Sequence, residues 1–173
     1  MRYLILAAVT FVNIIIASAV FPHINIADTA PDIIVCTIVS IVILENSMAG
    51  AAVGLACGLF LDLYSGIIGY YALPYFLTGA VMFFIRKNIY YVDKIVLPFF
   101  LAIGGYFMRE ALGALLAYTL DKQFLLSEMF LRYMLPEAAM TGVFMFLVHL
   151  IMRRLYRTKS LKKRSSEDFR RLS

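Results

Sequence analysis

Residues 33–61 read IIVCTIVSIVILENSMAGAAVGLACGLFL, two apolar runs at 33–44 and 48–61 parted by Glu45, Asn46 and Ser47. At a rise of 1.5 Å per residue these runs make helices of only about 18 and 21 Å, short of the ~30 Å hydrocarbon core of a bilayer. They are therefore either short helices packed inside a larger bundle or a re-entrant hairpin shielded by protein, because backbone polar groups must be satisfied away from lipid. Both arrangements return the chain to the side from which it came. In the second run Gly50, Gly54 and Gly58 recur at i, i+4 and i+8, a double G-x-x-x-G. Such glycines form a smooth face that another helix can approach closely, which is how helices associate where no hydrophobic force separates protein from solvent. The neighbour belongs either to this chain or to another protein.

The rest of the chain places these runs in a membrane. Of 173 residues, 62% are hydrophobic and 16% charged, with a mean hydropathy of +0.85. A soluble domain is about 45–50% apolar and about 25% charged. A folded domain of ~150 residues still exposes roughly 30% of its chain's surface. A soluble globule cannot hide this much apolar surface, and a disordered chain is equally excluded. Four further runs complete the pattern: 3–21, closed by Pro22; 67–85, where Pro74 is expected to bend a helix; 95–120; and 137–152. The end of the first run, Ala17-Ser18-Ala19, imitates a signal-peptidase site. Its charged region is only Met1-Arg2 and its apolar stretch is long, which favours a retained helix. Residues 124–135 are amphipathic and suit an interfacial position. The fold class is all-α: a six-helix transmembrane bundle over 1–152, with helices near 3–21, 32–46, 47–62, 67–85, 95–120 and 137–152, and a basic tail over 153–173.

Lysine and arginine orient the bundle. With the N-terminus inside, Arg2, Arg86, Lys87, Lys94 and nine residues after Met152 fall on the inner side, thirteen of sixteen. Lys122 and Arg132 fall outside, and Arg109 lies within a run. This is the asymmetry of the positive-inside rule, so both termini are expected in the cytoplasm of a multi-pass inner-membrane protein. There is no Trp, so tyrosines must form the interfacial belts: Tyr64, Tyr70, Tyr71, Tyr118 and Tyr133 on the outer side, Tyr3, Tyr90, Tyr91 and Tyr156 on the inner. The tail residues Arg153, Arg154, Arg157, Lys159, Lys162, Lys163 and Arg164 read as a topology determinant and an anchor on anionic lipid, at ~1 kcal/mol per basic residue near the surface. They could equally dock a cytoplasmic partner. A basic tail is no nucleic-acid face, and no nucleic-acid partner is expected.

Several polar residues stand out against this background. Asp32, after Pro31, opens the second helix, where a carboxylate suits the free N–H groups and the positive pole of the helix; a functional role for it is an equal alternative. Asp62 falls at a C-terminal helix end, where the pole disfavours its charge, so it needs a partner or a turn to bond. Arg109 and Glu110 form an intramembrane charge pair. A central charge costs about 2.5–3.5 kcal/mol on insertion scales and turns to the bundle interior. Adjacent side chains point ~100° apart on a helix, so the two need not pair with each other. Asp32, Asp62 and Glu137 are the candidate partners of Arg109, and Gly105 and Gly113 on its face would give it room. Cys36 and Cys57, inside apolar runs, read as small buried hydrophobes. His23 and His149 have no ligand at metal-binding spacing. No phosphate loop, nucleophile elbow or catalytic carboxylate pair is present, and neither enzyme activity nor a cofactor or metal is expected.

Pro31-Asp32 opening a short apolar helix, then Gly54-Leu55-x-x-Gly58-Leu59-x-Leu61-Asp62-Leu63-x-Ser65-Gly66-x-x-Gly69 before a longer one, resembles the rod shape-determining protein MreD family. The specific likeness covers roughly 31–85; the two ends match in hydropathy. It marks Asp32, Gly54, Gly58, Asp62 and Gly66 as family positions and, with Gly50, as helix-packing or partner-binding residues. The resemblance implies a non-catalytic component of the bacterial cell-elongation machinery that works beside the bitopic protein MreC. It also implies work near actin-like MreB filaments, a SEDS glycosyltransferase and a class B penicillin-binding protein. The family's helices are thought to resemble the substrate-binding S-components of energy-coupling-factor transporters. A vitamin- or small-molecule-binding component is thus the alternative, with Tyr64, Tyr70, Tyr71, Asp62 and Arg109 lining an outward cavity. Against it, Ala7, Ala8, Ala17 and Ala19 lack the Ala-x-x-x-Ala spacing such components tend to use for docking.

Overall fold

The computed structural model describes residues 2–16, 30–89, 96–119 and 134–156. Six helices follow one another: α1 (Arg2–Ile15), α2 (Ile33–Glu45), α3 (Ala49–Ser65), α4 (Ala72–Asn88), α5 (Val96–Thr119) and α6 (Leu135–Tyr156). Among the described residues there is no strand. The chain is all-helical, and α5 and α6 are long and apolar enough to cross a membrane.

The shortest well-packed helix is the axis of the bundle. α2 has only 13 residues, about 20 Å, and is apolar around its whole circumference. Such a helix needs neighbours on every side. It has them: α2 touches each of the other five helices, and every residue from Ile34 to Val42 is buried. Residues 33–44 thus lie in a short helix enclosed by protein.

The glycines set how closely the neighbours approach. A Cβ on Gly50 would lie 2.7 Å from the Ile38 carbonyl oxygen, and one on Gly54 would lie 2.7 Å from Ile38 Cδ1 and 2.8 Å from the Tyr75 carbonyl oxygen. On Gly58 it would reach 2.4 Å from Ala72 Cα. The double G-x-x-x-G face is thus turned into this chain, against α2 at one end and α4 along the rest. Gly79 of α4 answers it from the other side, where a Cβ would sit 2.6 Å from Ala51 Cα. These pairs run in opposite senses along the two chains, so α2, α3 and α4 form an antiparallel ladder. α6 runs parallel to α2, with Thr141 beside Asp32 and Tyr156 beside Glu45 at its two ends.

Two expected boundaries differ, and proline accounts for both. Pro74 does not bend a helix starting at 67; a turn occupies 66–71 and Pro74 falls in the first turn of α4. Pro136 likewise lies inside the first turn of α6, which starts at Leu135 rather than after it and runs on to Tyr156. The first N–H groups of a helix have no intrahelical acceptor, so a proline there removes no hydrogen bond. Pro98 occupies the same place in α5. The interfacial segment expected at 124–135 lies, but for its end, outside the described residues.

Phe11, Phe60, Phe100, Val143, Leu147 and Ile151 are exposed on the outside of the bundle, an apolar surface for lipid. Gly58→Ala should lower the thermal midpoint, because backbone and not a flexible side chain occupies the space; overpacking of this kind costs about 1–3 kcal/mol or more. Gly113→Ala, where a Cβ would meet nothing within 4 Å, should leave the midpoint unchanged or raised. Fluorescence-detected melting in detergent separates the two, and equal midpoints would refute the packing argument.

Candidate functional site

One residue, Asp32, joins four helices. Pro31 leads the chain into α2 and makes Asp32 its N-cap, with Oδ1 accepting from the Val35 N–H at 3.0 Å. The Asp32 backbone N–H donates to Thr141 Oγ1 of α6 at 3.0 Å. Its other oxygen, Oδ2, accepts from the Tyr75 hydroxyl of α4 at 3.1 Å and lies 3.0 Å from Arg109 Nε of α5. The Asp32 side chain is only 5% exposed and that of Arg109 17%. The contact is an ion pair without the N–H direction of a hydrogen bond, since Nε has no aligned acceptor.

Arg109 is held from its flanks as well. Its guanidinium carbon lies 5.6 Å from the ring centre of Tyr75 and 5.7 Å from that of Tyr106, within the range at which ring faces attract a cation. Glu110 meets its terminal nitrogen, so the adjacent pair does bond despite the angle between the two Cα–Cβ directions. Glu137, in the first turn of α6, adds a further carboxyl group near Arg109 and Tyr106. Gly105, one turn before, lets α5 sit against Val35 and Thr78, where a Cβ would have 3.2 and 3.4 Å. Gly113 makes no such approach, contrary to the expectation that it clears room for the arginine.

Asp62 belongs to a different construction. It is 1% exposed and lies outside the Arg109 cluster, so it is not the arginine's partner. Its carboxylate accepts three backbone N–H groups, from Gly69 at 2.7 Å, Tyr71 at 2.6 Å and Ala72 at 3.2 Å. The side chain that the end of α3 disfavours is used to build the start of α4, where N–H groups are free and the pole is positive. Gly66 ends α3 at φ 77° with its N–H on the Asp62 carbonyl at 2.8 Å, and Gly69 turns at φ 93°. Both lie where side chains are strained.

Asp32 and Arg109 are thus brought together, with Glu110 at the rim; Gly50, Gly54, Gly58, Asp62 and Gly66 form the α2–α3–α4 ladder and its turn. Arg153 and Arg154 close α6; Arg157, Lys159, Lys162, Lys163 and Arg164 lie outside the described residues. Sequence reasoning missed Tyr75, Tyr106 and Thr141. Tyr106 precedes Arg109 by one turn and Thr141 follows Glu137 by one turn, so polar atoms at helical spacing from a buried charge were the available signal. Chemically, the cluster saturates one carboxylate and cradles one guanidinium. Among the described residues no group of His, Cys, Asp or Glu could hold a metal.

Arg109→Gln should destabilise the protein by about 3–5 kcal/mol, since it strands a buried carboxylate. Arg109→Gln with Asp32→Asn should cost less than the two changes added, by about 0.5–3 kcal/mol of coupling. Additive effects in a double-mutant cycle of unfolding free energies would show that the pair is not coupled. Asp62→Asn exchanges charged for neutral acceptance of three N–H groups. It should lower the unfolding midpoint and raise amide exchange at Gly69, Tyr71 and Ala72.

The family model described as rod shape-determining protein MreD matches residues 1–159. Neither the curated proteins nor the solved structures contain a significant match. The family match takes in all six helices and the turn that Asp62 builds: this chain belongs to the MreD family, membrane proteins that determine rod shape.

Proposed function

We propose that the chain is a non-catalytic, six-pass scaffold of the cell-elongation machinery, set in the inner membrane with both termini in the cytoplasm. The observation that carries this reading is how the buried charge is used: Asp32 and Arg109 are spent on tying α2, α4, α5 and α6 to one another. What the bundle offers outward is a fixed shape. At the end of α3 the turn built on Asp62 displays Leu63, Tyr64 and Ile68 at 76%, 87% and 82% exposure. An apolar tip held by a buried carboxylate suits docking of a bitopic, MreC-like partner near the membrane surface. Through that partner the scaffold stands near actin-like MreB filaments, a SEDS glycosyltransferase and a class B penicillin-binding protein. The tail contacts anionic lipid or a cytoplasmic partner. Nothing supports the transporter alternative: Asp62 is engaged by backbone N–H groups, Arg109 by Asp32, and Tyr64 projects outward.

The test is complementation of rod-shaped cells depleted of their own MreD, with co-purification of the MreC-like partner. The wild-type chain should restore rods. Leu63→Ser, Tyr64→Ser and Ile68→Ser combined should leave the folded protein in the membrane yet reduce co-purification and give round cells. Unchanged capture by the triple variant would move the docking surface elsewhere, and failure of the wild type to restore shape would overturn the scaffold reading.

A further inference from the structure

Between the first turn of α5 and the last half of α6 lies a cavity of about 280 Å³, close to the ~300–1,000 Å³ of small-ligand pockets. Its closed end is where Gly142 lets α6 approach Phe99, at 2.8 Å from a Cβ there. Its walls are Phe99, Phe146 and Leu150, all exposed at the outside of the bundle. The groove therefore opens toward lipid. Two of its lining residues are polar, and both are basic: His149 and Arg153, which at i and i+4 share one face of α6. His149 is only 9% exposed and its Nδ1 is buried without a hydrogen-bond partner. Arg153 forms no ion pair among the described residues. Among the described residues the carboxylate at that end of the bundle is Glu45, which is outside the lining and accepts the Tyr156 hydroxyl at 2.9 Å.

We propose that this groove holds one anionic glycerophospholipid, an acyl chain along Phe99, Phe146 and Leu150 and the phosphate at Arg153 and His149. Charge complementarity selects the anion. The C-terminal pole of a helix repels negative charge, so the attraction must come from these side chains and not from the backbone. A buried imidazole nitrogen without a partner is costly, and a phosphate oxygen accepting from its N–H, or a headgroup hydroxyl donating to its lone pair, supplies one. Basic residues also continue past Arg153, at Arg154 in the last turn and through the tail sequence, which suits a groove at a membrane surface where anionic headgroups gather. Which leaflet this is rests on the orientation proposed above; the binding of lipid does not.

The full chain, reconstituted with equal parts of phosphatidylglycerol and phosphatidylcholine and then washed in detergent, is examined by native mass spectrometry. One phosphatidylglycerol should remain per chain. Arg153→Gln should reduce its retention about fivefold, the worth of one basic contact, and Leu150→Trp, which fills the groove, should reduce it likewise. Both positions are outside the core, so the size-exclusion profile should not change. Neutralising Lys162, Lys163 and Arg164 should leave retention intact. Equal retention of the two lipids, retention of neither, or loss caused by the tail changes and not by Arg153→Gln would each overturn the proposal.

Discussion

Asp32 takes bonds from every side of a bundle that has no water to offer it. A carboxylate away from water must find partners in protein: Val35 of α2 and Tyr75 of α4 donate to it, Arg109 of α5 pairs with it, and the Asp32 N–H donates in turn to Thr141 of α6. Each therefore fixes the height of one helix against another. Apolar packing alone would leave that height poorly determined, because lipid tails compete for the same surfaces and Ile, Val and Leu faces slide past one another at little cost. The ion pair between Asp32 and Arg109 need contribute little net stability to do this. Its effect is to make one register far better than its neighbours, since a slip of one turn would strand two charges.

The α2–α3–α4 ladder solves the complementary problem of distance. Gly50, Gly54, Gly58 and Gly79 remove side chains where backbones approach, and Asp62 then sets the angle at which α4 leaves α3. The family pattern from Gly54 to Gly69 is in this light one continuous structural instruction: close approach, helix end, carboxylate, two left-handed glycines, next helix. None of its residues needs to touch a partner for a substitution to matter, because α4 carries Tyr75 into the Asp32 cluster. A fault in the turn would be felt at the ion pair.

The apolar helices of the described residues, and Asp32, Asp62 and Arg109 as the charges that must find partners, were legible in the sequence because each rests on a large energy: hydrocarbon transfer, or a charge away from water. Helix starts were less legible. Pro74 and Pro136 interrupt hydropathy, yet in a first turn they interrupt no hydrogen bond. Tyr75 was illegible for another reason, and Tyr106 and Thr141 were marked only by their helical spacing from Arg109 and Glu137. A tyrosine or threonine is ordinary in a transmembrane helix, and only the three-dimensional approach of α4 and α6 to α5 makes these hydroxyls and rings part of a charge site. The direction of the glycine face was also undecided until Ile38, Ala51, Ala72 and Tyr75 were seen against it.

The two ends of the bundle consequently differ in kind. At the end of Asp32 and Asp62, both carboxylates are buried and engaged, and apolar side chains stand on the turn that Asp62 builds. At the end of Arg153, helices close less tightly: α5 and α6 part below Gly142, and a buried imidazole lacks a bond. There Tyr156 on Glu45 is the polar contact that ties α6 to α2. The carboxylates of Asp32 and Asp62 are thus gathered at one end of the bundle, and the groove with its basic rim at the other.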